Sequence, residues 1–298
     1  MTRALSALPL RHLLLALAVV AVWGTNFVVI KYALAHLPPL LFAALRFTLV
    51  LLPAMLVLPR PAVRWQNLAA YGLLIGVGQF GLLYVAMNGN ISPGIASLVI
   101  QVQVFFTIGL SMRVTGEHLR PFQVVALALA SCGIVVILRH TDGTTTLVGL
   151  LLVVLAALSW ALANIAAVRG APANMLAYVV WASAFAIVPL FALSLAIEGA
   201  DAALAGVRSA DLATWGAVAW QAWANTLFGY VAWGWLLARH PAATITPLAL
   251  LVPVFGIGAS ALLLGESLPA WKLTAATLVM AGLALNLLWP RWRRVTLR

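Results

Sequence analysis

The stretch LLLALAVVAVWGTNFVVIK, residues 13–31, is almost continuous hydrocarbon, yet it contains an asparagine and a lysine. A run of about 20 apolar residues spans the hydrocarbon core of a bilayer as a helix. The run does not alternate with a period of two, as the strand of a membrane β-barrel would. It therefore predicts a membrane-spanning helix that carries polar side chains below the membrane surface.

The composition of the whole chain agrees with that stretch. Hydrophobic residues are 64% of its 298 residues, charged residues are 8%, and the mean hydropathy is +1.09. A soluble domain carries about 25% charged residues, so most of this surface must face lipid. We predict an all-α integral membrane protein with ten transmembrane helices, at approximately 12–34, 39–58, 67–88, 93–113, 120–138, 147–167, 174–197, 211–237, 242–264 and 269–289.

The net charge of +11 follows membrane topology. If the N-terminus is inside, only Arg139, Arg208 and Lys272 fall in outer segments, and the remaining loop and tail arginines are cytoplasmic. This asymmetry predicts a multi-pass plasma (inner) membrane protein with both termini in the cytoplasm. The expected partners are membrane lipid and a small-molecule substrate, because no basic stripe with interleaved aromatic residues is present for nucleic acid.

The chemistry of an enzyme is missing from the sequence. Cys132 is the single cysteine, and the five histidines show no pair at metal-ligand spacing. There is no phosphate-binding glycine loop and no plausible hydrolytic triad. We therefore predict no metal, no cofactor and no catalytic residue.

The chain contains an internal repeat with an offset of 149 residues. The matches include Phe106, Ile108, Gly109, Ser111, Gly116, Glu117 and Leu119, which fall on Phe255, Ile257, Gly258, Ser260, Gly265, Glu266 and Leu268. The repeat predicts two halves, 1–145 and 146–298, in a single membrane domain. Five helices per half is an odd number, so the second half would be inverted, which is the geometry of an alternating-access transporter.

Several motifs resemble those of the EamA family of the drug/metabolite transporter superfamily. They are W-G-x-N-F-x-x-x-K at 23–31, L-P-P-x-x-x-A-x-x-R-F at 37–47, and the paired G-E-x-L at 116–119 and 265–268. The resemblance covers essentially the whole chain and is strongest to the bacterial exporters of aromatic amino acids. The chain departs from the family pattern in the fourth predicted helix. Gln101 and Gln103 bring polarity there, at the place equivalent to the Pro253 motif of the ninth helix.

Polar side chains at membrane depth usually face a cavity or another helix. The candidate substrate-binding residues are Trp23, Asn26, Gln79, Tyr84, Ser97, Gln101, Trp160, Asn164, Gln221 and Asn225. An aromatic, amide-rich, uncharged lining can stack an apolar ring and hydrogen-bond a zwitterion. Hydrogen bonding between helices is the alternative for each of these residues.

Four charged residues need separate interpretations. Lys31 either anchors its helix at the interface or attracts a carboxylate at the outer mouth. Arg46 is expected to be structural and to bond to carbonyls of a neighbouring helix. Glu117 and Glu266 are expected to complement the positive ends of the helices that follow them rather than to carry protons.

These observations favour the export of amino acids, with aromatic or other apolar side chains preferred. Transport would be facilitative or by exchange, because no carboxylate falls at the midplane. The alternatives are transport of another metabolite or drug, transport of an anionic metabolite, and a non-transporting membrane or lipid-handling subunit. An anionic metabolite would require several midplane cations, and Arg46 is the only one predicted.

Overall fold

The computed structural model describes residues 8–115, 120–140, 144–240 and 242–296, which form helices joined by short loops. The helices are α1 Leu10–Ala33, α2 Pro39–Met55, α3 Trp65–Met87, α4 93–115, α5 Pro121–Arg139, α6 Leu147–Gly170, α7 Met175–Glu198, α8 Ala200–Ser209, α9 212–239, α10 242–264 and α11 Ala270–Thr296.

Within these described ranges, 8 helices are long and apolar enough to cross a membrane: α1, α3, α4, α5, α6, α7, α10 and α11. The chain is therefore a multi-pass, all-helical membrane protein, as predicted. Helix α2 is apolar but has only 17 residues. Helix α9 is long, but its centre carries Gln221, Asn225 and several tryptophans, which lower its hydropathy.

Helix α8 was not predicted from the sequence, which was interpreted as a loop between 197 and 211. It follows Gly199, whose φ of 90° lies in the left-handed region that favours glycine. Asp201 in its first turn and Arg208 in its last turn complement the helix dipole. Gly206 lies close to the backbone of His36, so α8 packs on the loop between α1 and α2.

Small residues allow the long helices to approach closely. A Cβ atom on Gly133 of α5 would lie 2.6 Å from the Val279 side chain of α11. A Cβ atom on Gly282 of α11 would lie 2.5 Å from the carbonyl oxygen of Ala126 in α5. Gly24 of α1 packs in the same way on Phe255 of α10. Such contacts are typical of helix association in lipid, where dispersion forces replace the hydrophobic effect.

Several helices contain segments that depart from α-helical geometry. Wider π-helical turns occupy Leu74–Gly81 in α3 and Trp220–Phe228 in α9. Tighter 3₁₀ turns occupy Ile100–Val102 in α4 and Thr246–Leu250 in α10. A third π segment, Ser194–Glu198, ends α7. Both kinds of departure are frequent near functional sites or hinges, and the π segment of α9 carries part of the polar centre described next.

Candidate functional site

A continuous series of hydrogen bonds joins α1, α9, α3 and α2 in the protein interior. The Gln221 Nε2 atom donates to Asn26 Oδ1 at 2.7 Å. The Tyr84 hydroxyl donates to Gln221 Oε1 at 3.0 Å, and Arg46 Nη1 donates to the Tyr84 hydroxyl at 2.9 Å. All four side chains are buried. Together with Thr226 they form what we call the central network.

Arg46 is the only charged member of the central network. Its side chain is 1% exposed, and it lies seven residues into α2, about 10 Å from the start of the helix at 1.5 Å per residue. Its Nη2 atom donates to Thr226 Oγ1 at 2.7 Å, and its guanidinium lies 3.8 Å from the centre of the Phe80 ring. The hydrogen-bond acceptors are thus hydroxyls of Tyr84 and Thr226, not the backbone carbonyls that we expected.

Thr226 was missed in the sequence because the period of the helix changes at this point. Its hydroxyl donates to the carbonyl of Gln221, five residues earlier, at 2.9 Å. An α-helix places residues i and i+4 on one face, which singled out Asn225 instead. In the π-helical segment the residue at i+5 takes that place, so Thr226 reaches both Gln221 and Arg46.

Trp23 and Asn225, both candidate substrate-binding residues, lie beside the central network and are joined by a hydrogen bond. The Trp23 indole donates to the backbone carbonyl of Asn225 at 3.0 Å. Its ring centre lies 5.2 Å from that of Trp233 and 6.5 Å from that of Tyr230. Trp23 therefore ties α1 to α9 within an aromatic cluster next to the buried amides.

Asn164 belongs to a second polar group. Its Nδ2 atom donates to Gln103 Oε1 at 3.1 Å and to Thr107 Oγ1 at 3.2 Å, which links α6 to α4. Asn26 and Asn164, the asparagines within α1 and α6, thus lie in different hydrogen-bond groups. Trp160, one turn before Asn164, is half-buried against the hydrophobic core.

The remaining predicted lining residues have mixed surroundings. Ser97 is fully buried and donates to the carbonyl of Gly94 at 2.7 Å, where α4 packs closely on Gly256 of α10. Gln101 is half-buried in the 3₁₀ turn of α4. Gln79 is buried in the π segment of α3, five residues before Tyr84. The structure therefore joins Asn26, Tyr84 and Gln221 directly, and the other predicted residues surround them or lie apart.

Charged and polar groups cluster at the end of α1. Lys31 is exposed in the last turn of this helix. The neighbouring Tyr32 hydroxyl donates to the Asp211 carboxylate at 3.2 Å. Asp211 caps α9 by accepting from both the hydroxyl and the backbone N–H of Thr214, each at 2.7 Å. These hydrogen bonds hold the pKa of Asp211 below its ordinary value, and the bond from the Thr214 hydroxyl has the largest effect.

Glu266 caps a different helix from the one we predicted. Its carboxylate accepts from the backbone N–H of Gly94 at 3.1 Å and from the Ser92 hydroxyl, at the start of α4 rather than of α11. It also pairs with Lys272 at 2.9 Å, and the two side chains are only 10% and 6% exposed. Glu117, its counterpart in the repeat, lies outside the described residues.

Glu198 has the same kind of role at the start of α2. Its carboxylate accepts from the backbone N–H groups of Leu40 at 2.6 Å and Leu41 at 3.2 Å. In the part of the chain that the structure describes, no group of three or more His, Cys, Asp or Glu side chains could hold a metal ion.

A buried, mostly uncharged polar centre inside a multi-pass helical protein fits a membrane transporter of small molecules. Residues 10–139 and 147–288 both match the model of the EamA-like transporter family. The chain belongs to this family, which confirms the resemblance found in its motifs, and it is a transporter rather than an enzyme.

Similar proteins agree with that assignment. A protein of Salmonella typhimurium named "Probable amino-acid metabolite efflux pump" is 42% identical over 94% of this chain and 96% of its own. A protein of Escherichia coli K12 with the same name is 40% identical over the same shares of the two chains. "Uncharacterized inner membrane transporter YedA" of Escherichia coli K12 is 30% identical over 64% of each chain.

A crystal structure with 21% sequence identity aligns over 94% of this chain and 98% of its own, with a TM-score of 0.63. At that identity the likeness shows the fold alone.

Proposed function

We propose that this transporter exports amino acids, with aromatic and other apolar side chains preferred, by alternating access. The observation that carries the proposal is the central network: a buried centre of amides and hydroxyls with one cation, bordered by aromatic rings. Amides and hydroxyls can bind the polar ends of a zwitterion, and aromatic rings can stack on its side chain. Two relatives at 42% and 40% identity are named as amino-acid metabolite efflux pumps, which supports the same substrate class.

The aromatic groups lie next to the polar ones. Phe42 and Tyr84 stack with ring centres 4.7 Å apart and planes 17° apart, and Phe80 lies edge-on to Tyr84 at 5.8 Å. Trp23 and Tyr230 lie between α1 and α9, where the Trp23 indole also donates to the Asn225 carbonyl. We propose these rings as the stacking partners of an apolar substrate side chain once the helices move apart, because Tyr84 itself bonds to the amide of Gln221.

The alternating-access part of the proposal rests on a ten-crossing architecture. In it, α1–α5 and the set α6, α7 and α9–α11 form two inverted halves, 1–145 and 146–298, and α8 lies at the membrane surface. Reciprocal contacts support it: Gly133 packs on Ala275 and Val279, while Gly282, its equivalent at the 149-residue offset, packs on Ala126 and Ala130. Reciprocity of this kind is what a two-fold axis produces.

Irregular turns recur in equivalent places as well. The π segments Leu74–Gly81 and Trp220–Phe228 lie in the third helix of each half, and the 3₁₀ turns lie in the fourth. The fourth helix of the first half has this turn even though Gln101 and Gln103 replace the proline pattern of α10. Two halves that bend at the same places can rock about a shared site.

The same proposal places both termini in the cytoplasm and the protein in the inner membrane. The arginine asymmetry supports the orientation, and the name of a 30% identical relative includes the inner membrane. In this orientation Glu198, Glu266 and Asp211 bridge helices of the two halves at the outer face. Lys31 lies at the same face, where it can attract the carboxylate of a substrate.

Transport is facilitative or by exchange. Among the described residues, the carboxylates of Glu198, Asp211 and Glu266 are engaged at helix ends, and that of Asp201 lies in the first turn of α8. None of these four bonds to the central network, so no acid in the described part of the chain is placed to carry a proton through it.

Direct uptake tests the proposal. Purified protein in liposomes is given labelled phenylalanine, leucine, aspartate or lysine in separate vesicle batches, with protein-free liposomes as the control. We expect uptake of phenylalanine and leucine down their gradients and little uptake of aspartate or lysine. Flux of none of them, with the protein folded and inserted, would contradict amino-acid transport.

A further inference from the structure

Arg46 carries a buried positive charge that no carboxylate of the described residues pairs with. The one ion pair within the described residues joins Lys272, in the first turn of α11, to Glu266, which caps the start of α4. Around Arg46 the structure places hydroxyls and aromatic rings, and the side chain is sealed from the surface. Buried charges in proteins are normally paired with an opposite charge, so this guanidinium lacks its usual partner.

One N–H group of the guanidinium is also without a partner. A guanidinium has five N–H donors in a fixed planar fork. One hydrogen bond goes from Nη1 to Tyr84 and one from Nη2 to Thr226, whereas Nε is buried and has no hydrogen-bond partner. The Nε–H and a neighbouring Nη–H form the edge that binds a carboxylate through two parallel hydrogen bonds.

We propose that Arg46 binds the carboxylate group of the transported substrate. The proposal deepens the proposed function and rests on it, since it assigns one end of an amino acid to one side chain. The carboxylate supplies the missing negative charge and the missing acceptor for Nε. The Phe80 ring lies 3.8 Å from the guanidinium, over its face, so it does not occupy the edge on which a carboxylate would bind.

The position of Arg46 also connects binding to movement. Its two hydroxyl partners belong to α3 and α9, and both of these helices contain a π segment at this depth. A carboxylate that reaches the guanidinium competes with Tyr84 and Thr226 for its N–H groups. The charge that the network cannot compensate alone therefore favours the substrate-bound arrangement of these helices over the empty one.

A purely structural role for Arg46 predicts a different result from a carboxylate-binding role. Loss of a structural residue lowers transport of all substrates alike. Loss of the carboxylate site lowers transport of substrates that carry a carboxylate and spares analogues that lack one. The informative quantity is therefore the preference for phenylalanine over phenylalaninamide, which keeps the ring and the amine and lacks the carboxylate.

The test uses the full chain in liposomes. It measures how strongly unlabelled phenylalanine and phenylalaninamide each inhibit the flux of labelled phenylalanine or leucine. In the native chain we expect phenylalanine to inhibit about ten- to a hundredfold better than phenylalaninamide, the range given by loss of hydrogen bonds to a charged group. In Arg46→Lys, which keeps the charge and loses the fork, and in Arg46→Gln, we expect this preference to fall to a few-fold or less. The matched control is Arg208→Lys on exposed α8, which should keep the full preference.

A second measurement on the native chain keeps the proposal testable if both Arg46 variants fail to fold, as judged by gel filtration and tryptophan fluorescence. 3-Phenylpropionate keeps the ring and the carboxylate and lacks the amine, whereas phenethylamine keeps the ring and the amine and lacks the carboxylate. We expect 3-phenylpropionate to inhibit labelled phenylalanine flux better than phenethylamine does. An equal effect of acid and amide on the native chain would overturn the assignment. So would a preference that folded Arg46 variants retain, or inhibition by phenethylamine as strong as that by 3-phenylpropionate. If phenylalanine and leucine are not transported at all, the proposed function fails instead, and the two failures are distinct.

Discussion

Replacement of Thr226 by valine removes one hydroxyl from the central network and changes little else. Valine has nearly the same shape and the same β-branching, so the helix is not perturbed by the exchange. The lost groups are the acceptor for Arg46 Nη2 at 2.7 Å and the donor to the Gln221 carbonyl at 2.9 Å. Because Arg46 is 1% exposed, water cannot replace the lost acceptor.

The expected cost follows from the kind of bond that is lost. Hydrogen bonds to charged groups contribute about 1.5–3 kcal/mol in proteins. Interhelical hydrogen bonds in membranes contribute less, on average about 0.6 and at most about 1.7 kcal/mol. A charged and fully buried bond belongs at the top of the membrane range, so we expect Thr226→Val to lower the free energy of unfolding by about 1.5 kcal/mol.

The assay is unfolding in mixed micelles with increasing sodium dodecyl sulfate, followed by tryptophan fluorescence. The matched control is Thr274→Val on α11, where an exposed threonine bonds only to the carbonyl four residues earlier in its own helix. We expect the control to change stability by less than about 0.5 kcal/mol. Equal stability changes in the two variants would refute the claim that the Arg46–Thr226 bond is a stabilising buried interaction.

Three further predictions concern transport, a buried ion pair and pH. Trp23→Ala and Gln221→Ala should each impair transport with expression and folding retained; normal flux in both would show that the proposed lining is wrong. Glu266→Gln should lower the free energy of unfolding by up to about 3–5 kcal/mol, because it leaves the ammonium of Lys272 buried and unpaired. The additional change Lys272→Met should restore part of the lost stability. No recovery in this double variant would contradict the pairing. The pKa of Asp211 is lowered in the folded chain, so its contribution to stability is present above its unfolded value of about 3.9 and is lost as pH falls through the lower native value. The stability difference between the native chain and Asp211→Ala should thus be constant near neutral pH and shrink under acid, and a difference that grows under acid would contradict this sign.

The helix positions could be predicted because lipid imposes a strong pattern on the sequence. The first helix was predicted at 12–34 and lies at Leu10–Ala33, and the other predicted helices agree about as well, except that the last, predicted to end at 289, continues to Thr296. Helix α8 escaped prediction because its 10 residues are too short and too polar to resemble a span. Membrane hydropathy carries no signal for a short helix at the surface.

The contacts of the site were harder to predict than its location. Asn26, Tyr84 and Gln221 could be singled out because amides and hydroxyls are rare in apolar helices. Thr226 could not, because a local π segment replaces the α-helical period there. The cap made by Glu266 on α4 connects residues more than 170 positions apart, and nothing in either local sequence indicates which helix the carboxylate reaches.

The most direct test of facilitative amino-acid transport is counterflow in proteoliposomes at zero proton gradient. Vesicles are preloaded with an excess of one unlabelled amino acid, and labelled phenylalanine is followed as it accumulates. We predict transient accumulation in vesicles loaded with phenylalanine, tryptophan or leucine, and none in vesicles loaded with aspartate or lysine. Accumulation that requires an imposed pH gradient would contradict the facilitative mechanism, and accumulation under neither condition would contradict amino acids as the substrate.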